Sequence, residues 1–470
     1  MADKPTIGVV FVTSGWFRDV GLQDTGSDTT AEVDLNARRI VDKLNNFIEP
    51  IFPGVLYSVE DAKAAGQSIK MAGVDGILLA PLMWCEDQIV RACLKEAGNL
   101  PIILWTGSPG DSLPDFVPFQ TMLQGSGAVC TLQLSGMLKR ENYRYQSIVG
   151  PFDDGQVYKR LAILSSAMAV RRKLKSLRVA VLPFPCEQMS TTYVDEFRLR
   201  SLYGIELKYL ALERFRMRAR EIEETAIKAF SKEIKDAAIE VRIDDSNLEE
   251  GIRYALAIEA ILEEENIEVL AMNDVIDEMH DSFGLRPCLT NPRLSDSGAV
   301  ISMESDIAAS VAMYALRQFT GQSPFYTEVF SVDYEKNCLL LGHAGYHDSA
   351  NRDPALPVKI VPDVEYENSD PFCGAATYFK YKPGPVTVVN SVWDGERLKW
   401  TAFEGESLEG SLKMEGNCHL FCRLEPEVKT FFKSAIESGV SQHWIVVSGH
   451  IADDVASLST TLEIKFEKIT

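Results

Sequence analysis

The sequence is short of positive charge. Its 470 residues carry 47 lysines and arginines against 68 aspartates and glutamates, a formal net charge of −21. Such a field repels nucleic acid and anionic membrane, which removes both as expected partners. No apolar run approaches the ~20 residues that a membrane-crossing helix needs. A disulfide framework is missing too: the nine cysteines are an odd number and scattered, which suits a reducing cytoplasm better than a secreted scaffold. The first residues, Met1-Ala2-Asp3-Lys4-Pro5, lead into a strand-length apolar run. Polar residues follow that run rather than a small-residue cleavage site, so no signal peptide is expected. There is no low-complexity tract and no internal repeat of ~20–50 residues.

What remains is an ordinary globular composition, 46% hydrophobic and 24% charged. At ~150 residues per domain the length suggests about three domains. Residues 7–12 (Ile-Gly-Val-Val-Phe-Val) form a continuous β-branched run, as in a parallel strand buried on both faces. Residues 31–47 have helical spacing, and 74–80 and 101–105 read as further strands. The alternation predicts a doubly wound α/β domain over 1–174, with ligands beyond the carboxyl ends of its strands, where Trp84 and Thr106 fall. Gln124-Gly125-Ser126-Gly127-Ala128 lacks the dinucleotide and P-loop spacings and reads as a tight turn with close packing. The α/β theme repeats over 175–322. From 323 to 470 short strands follow one another at close spacing, split by Pro, Gly and Asp turns, which predicts an antiparallel β-barrel-like domain.

The chemistry concentrates in residues 302–345. Met303-Glu304-Ser305-Asp306 precedes a small-residue helical run, so Glu304 sits near a helix N-terminus that favours an ionised carboxylate. Asp306 could be the capping residue while Glu304 points into a cleft. Asp333 ends an alternating strand, and His343 lies between glycines in Gly342-His343-Ala344-Gly345. His443, beside Trp444, feeds a short apolar strand. Two carboxylates and one imidazole with open positions suit Mn²⁺ or Mg²⁺. Each residue also has a bland reading: a helix cap for Glu304, a turn former for Asp333, a hydrogen-bonded structural ring for His343. Cys418-His419 and Cys422 resemble half a zinc site but read as strand core, and Asp453-Asp454 as a helix N-terminal acid pair.

The runs Met279-His280-Asp281-Ser282-Phe283-Gly284-Leu285-Arg286-Pro287-Cys288, Arg293-Leu294-Ser295-Asp296-Ser297-Gly298 and Met303-Glu304-Ser305-Asp306 resemble the L-fucose isomerase family. So do Asp333, Gly342-His343-Ala344-Gly345 and His443-Trp444 ahead of Gly449. The more distant L-arabinose isomerases share the layout. The resemblance spans the chain in domain order and is dense in motifs from about residue 270. It implies two α/β domains and a C-terminal β-barrel core, a homo-oligomer (trimer or hexamer), and Mn²⁺ held by Glu304, Asp333 and His443, with Mg²⁺ or Co²⁺ as substitutes. His343 matches a metal-site histidine of the arabinose enzymes. Trp84 matches a tryptophan that a neighbouring subunit lends to the sugar pocket, and Trp444 is placed against the sugar with it.

The expected activity is therefore a metal-dependent aldose–ketose isomerisation through a cis-enediolate. Glu304 and Asp333 move the protons, and His443 serves as a ligand only. Two other functions fit the same residues: a sugar-binding protein without catalysis, using Trp84 and Trp444, and a metal-dependent hydrolase. Roles for His347 and His450, and the identity of the sugar, are left open by the sequence.

Overall fold

A computed structural model describes residues 4–17, 29–237, 240–368 and 371–470. The chain divides into two compact units, Met1–Lys173 and Leu174–Thr470. The boundary expected at 322/323 falls inside the second of them.

The first unit is built on five parallel strands: β1 (Thr6–Val12), β2 (Glu49–Ile51), β3 (Gly76–Pro81), β4 (Ile102–Thr106) and β5 (Tyr145–Val149). Their order is β2-β1-β3-β4-β5. Side chains alternate along β1: Ile7, Val9 and Phe11 enter one hydrophobic cluster, Val10 and Val12 the other. Helices cover both faces, which is why the strand reads as an unbroken apolar run. The order reverses at β1/β3, the switch point where open α/β sheets bind ligands. Of the glycine pair it is Gly127 that packs closely there, since a Cβ would lie 2.6 Å from the Pro81 carbonyl oxygen. Trp84, just past β3, has its backbone N–H held by Ser126 Oγ at 2.9 Å and its indole N–H by Gln133 Oε1 at 2.9 Å.

The second unit begins with β6 (Arg178–Leu182), β7 (Glu206–Tyr209), β8 (Glu240–Val241), β9 (Val269–Met272) and β10 (Val300–Ser302). Four of these make a parallel sheet in the order β10-β9-β6-β7. The chain continues with β11 (Phe325–Asp333), β12 (Cys338–His343), β13 (Lys359–Pro362), β14 (Ala375–Tyr378), β15 (Gly384–Trp393), β16 (Leu398–Ser407), β17 (Cys418–Leu424), β18 (Trp444–Ser448) and β19 (Lys465–Lys468). Six of them run antiparallel in the order β15-β18-β11-β12-β17-β16, and β15 pairs back to β16 to close a barrel. Closure leaves those strands without free edges. β19 adds in parallel on β16, and β14-β13-β8 form a separate small sheet.

Phe325, Leu339, Leu341, Val388, Phe403, Leu420 and Trp444 fill the barrel core. Cys418 and Cys422 lie in the same cluster, and His419 accepts the Lys413 N–H at 2.9 Å, so that segment packs as strand core. Asp453 and Asp454 open the helix Ala452–Leu462. Among the described residues no helix is long and apolar enough to cross a membrane.

Candidate active site

Glu304 lies just past the carboxyl end of β10. The chain must turn from that strand into the helix Ile307–Thr320 within four residues. It does so with both Glu304 and Ser305 in the left-handed region, at φ 58° and 50°, a conformation that L side chains rarely adopt. Asp306 is the helix N-cap. One carboxylate oxygen accepts the Ala309 N–H at 2.8 Å and the other holds His443 Nδ1 at 2.7 Å.

The barrel brings the remaining groups. β11 pairs with β12 on one side and β18 on the other. In that register Glu328 stands opposite Gly342, next to His343, while Thr327 stands opposite Trp444, next to His443. Glu328 is thus flanked by both histidines. A bulge follows at once between Val329 and Ser331, a frequent device beside active sites because it re-aims the strand.

Glu304, Glu328, His343 and His443 each offer one ligand atom, and these atoms lie within 4.8 Å of one another. His443 Nε2 is 2.8 Å from Glu304 Oε2 and 3.7 Å from Glu328 Oε1. His343 Nε2 is 3.6 Å from Glu304 Oε1. The tautomer of His343 follows from its surroundings: Nδ1 meets the Ala344 carbonyl at 2.5 Å and must donate, so Nε2 presents a bare lone pair. That buried nitrogen has no hydrogen-bond partner among the described residues. Tyr326 packs against both rings, at 4.9 Å from His343 and 4.8 Å from His443.

The electrostatics follow from burial and crowding. Burial pushes the His343 pKa down to about 4, against the pull of Glu304, so its ring is neutral. Burial also opposes charge on His443, but hydrogen bonds to Asp306 and Glu304 overcome it and raise that pKa to about 10. Burial and then the neighbouring Glu304 charge push Glu328 up to about 7. Glu304 itself, despite burial, is held below the usual carboxylate range by the hydrogen bond from the charged His443. Two carboxylates in one small site have been driven apart in acidity, the pattern of an acid–base pair.

The structure brings together Glu304, His343 and His443 from the sequence expectations, but not Asp333. That residue ends β11 at the hairpin turn, half-buried, with Lys336 Nζ on one carboxylate oxygen at 2.9 Å and the Lys336 N–H on the other at 3.0 Å. It is five residues beyond Glu328, roughly 17 Å along an extended strand. Lys336 keeps it charged and acidic. The turn reading of Asp333 is the one its geometry matches, and Glu328 occupies the place given to it. Trp444 is also displaced from its expected role: it is 3% exposed and packs on Phe403 and Phe431 in the barrel core. His347 is buried behind His343 and donates from Nε2 to the His343 carbonyl at 2.9 Å. His450 is exposed and bonds the Gly405 carbonyl at 3.0 Å.

No family model matches the chain. It is similar to the sulfoquinovose isomerase of Priestia aryabhattai, with 22% identity over 416 residues that span 87% of this chain and 89% of that protein. The sulfoquinovose isomerase of Alkalicoccus urumqiensis is 20% identical over 398 residues, 84% of this chain and 86% of its own length. The likeness runs through both units. The chain is an aldose–ketose isomerase.

Proposed function

We propose that the chain interconverts an open-chain aldose and its ketose through a cis-enediolate, at a centre where Glu304, Glu328, His343 and His443 hold one divalent cation. The observation that carries this is the bare, buried His343 Nε2 in a cluster of four donor atoms within 4.8 Å. Two imidazoles and two carboxylates suit Mn²⁺, the ion that the resemblance implies, with Mg²⁺ or Co²⁺ as substitutes. Asp306 fixes the orientation of the His443 ring, as carboxylates do for ligating histidines. When bound, the cation would polarise the sugar carbonyl and offset the charge of the enediolate.

The protein's own groups carry the protons. Glu304, held ionised, takes the proton from C2 and returns it to C1. Glu328, poised near neutrality, passes the proton between O1 and O2. Tyr326 and the buried walls around the histidines keep water from the site. Self-association as a trimer or hexamer is part of the reading, on the strength of the family resemblance.

Sulfoquinovose, the sugar in the names of the relatives, heads the list of substrates to try, followed by L-fucose and L-arabinose. The test is turnover of that panel with Mn²⁺, combined with incorporation of deuterium at C2 in deuterated water. Binding without turnover for every sugar, or turnover that survives exhaustive dialysis against chelator, would defeat the reading.

A further inference from the structure

Left-handed residues other than glycine are strained and persist only where their surroundings hold them. Glu304 and Ser305 are two in succession. Their backbone N–H groups are accounted for: Ser305 donates to the Met272 carbonyl at 2.9 Å, and Glu304 donates to Asp274 Oδ1 at 2.8 Å. Asp274 follows β9, and its side chain is fully buried. The other oxygen, Oδ2, has no hydrogen-bond partner among the described residues and lies 3.7 Å from Arg286 Nη1. Arg286 does not depend on it. Asp363 binds that guanidinium through two contacts of 2.6 Å, and Glu365 through a third of 2.6 Å. A buried carboxylate is costly unless something uses it. With Arg286 already neutralised, the use on view is the Glu304 amide.

We propose that Asp274 is a positioning residue whose side chain holds the Glu304 N–H, and so sets the left-handed turn that aims the Glu304 carboxylate at His343 and His443. An unrestrained turn would relax toward ordinary backbone angles and swing that carboxylate out of register. The inference rests on Glu304 being a working carboxylate, so Glu304→Gln is measured alongside.

The test compares Asp274→Ala and Asp274→Asn. Turnover is measured on the best sugar of the panel, Mn²⁺ affinity by electron paramagnetic resonance of the free ion, and folding by circular dichroism. Asp274→Ala should lower kcat by about 100-fold with KM little changed, the scale of a misplaced reacting group. It should also weaken Mn²⁺ binding by about 10-fold, as loss of a supporting hydrogen bond does. Asp274→Asn keeps an oxygen acceptor for the Glu304 N–H and should hold both values within about fivefold of the parent, a small part of that loss. Wild-type turnover in Asp274→Ala overturns the proposal. So does an Asp274→Asn variant impaired by about 100-fold, because the charge rather than the acceptor would then matter. If the alanine variant does not fold, the asparagine variant decides by the same two limits. Full activity in Glu304→Gln would instead defeat the proposed function, whatever Asp274 does.

Discussion

Replacing Glu328 by glutamine should nearly abolish turnover, while replacing Asp333 by asparagine should leave it unchanged. Both acids sit on β11; the sequence points to Asp333, and the structure puts Glu328 beside the histidines. Glu328 stands between the two histidines, and its acidity is moved to about 7 by burial and by Glu304. Glutamine keeps the shape but can neither carry a proton nor bring a negative charge to a cation. Loss of a placed acid–base group costs about 10²–10⁴-fold, or about 2.7–5.5 kcal/mol of barrier. Asp333 contacts Lys336 at an exposed turn; such pairs contribute little, and activity should stay within about twofold. The assay is initial rate on the best sugar with saturating Mn²⁺, plus Mn²⁺ affinity measured without sugar. Glu328→Gln should also weaken Mn²⁺ binding by at least tenfold, on the scale of altered metal-site shells. Should Asp333→Asn lose activity and metal while Glu328→Gln keeps both, the register-based assignment is wrong.

Four further perturbations probe the same framework. Without a cation His443 carries a proton, since its pKa is raised to about 10 by Asp306 and Glu304. Cation binding should therefore release between about one and two protons near neutral pH, one from His443 and a part from Glu328, whose acidity is moved to about 7; calorimetry in buffers of different ionisation heat measures it, and no buffer dependence would contradict it. The same raised value stabilises the cation-free fold fully below the unfolded histidine pKa of about 6.5, a contribution lost as pH rises through about 10. The melting temperature of the chelated protein should accordingly fall over that window. Trp444→Ala should cost about 3–5 kcal/mol of stability, as for large core truncations, yet leave Mn²⁺ affinity intact; a stable variant with a raised KM would restore the tryptophan to the sugar site. Arg286→Met should destabilise by about 3–5 kcal/mol, because it strands the buried Asp363 carboxylate, seen as a lower denaturant midpoint.

The parts of this architecture that are legible in the sequence are those written in local periodicity. Residues 7–12 announce a strand covered on both faces, and the short strands after 323 announce an antiparallel barrel, because burial imposes its pattern residue by residue. Glu304, Asp306 and His443 were visible for a similar reason: each stands at the edge of an element, where a polar residue in an apolar context needs a use. Glu328 carried no such mark. It sits mid-strand in an alternating run, where a polar residue is the ordinary outward-facing partner of buried neighbours. What places it beside the two histidines is its register against two other strands, and a one-residue bulge sets that register. Without the bulge, Gly342 would face Val329, and a one-residue slip turns every side chain to the opposite face.

That dependence explains why the site draws on two kinds of sheet. The parallel sheet supplies its carboxylate where such sheets expose backbone and polar groups, past the carboxyl ends of the strands, with Asn273-Asp274 after β9 and Glu304-Ser305 after β10. The barrel supplies Glu328 from β11, His343 from the end of β12 and His443 just ahead of β18, and β11 lies between the other two strands. Asp306 joins the two parts by capping a helix of the first and holding a histidine of the second. Replacing Asp306 therefore removes a helix cap and an orienting hydrogen bond at once. A change of Asp333, at the far end of the same hairpin, removes neither.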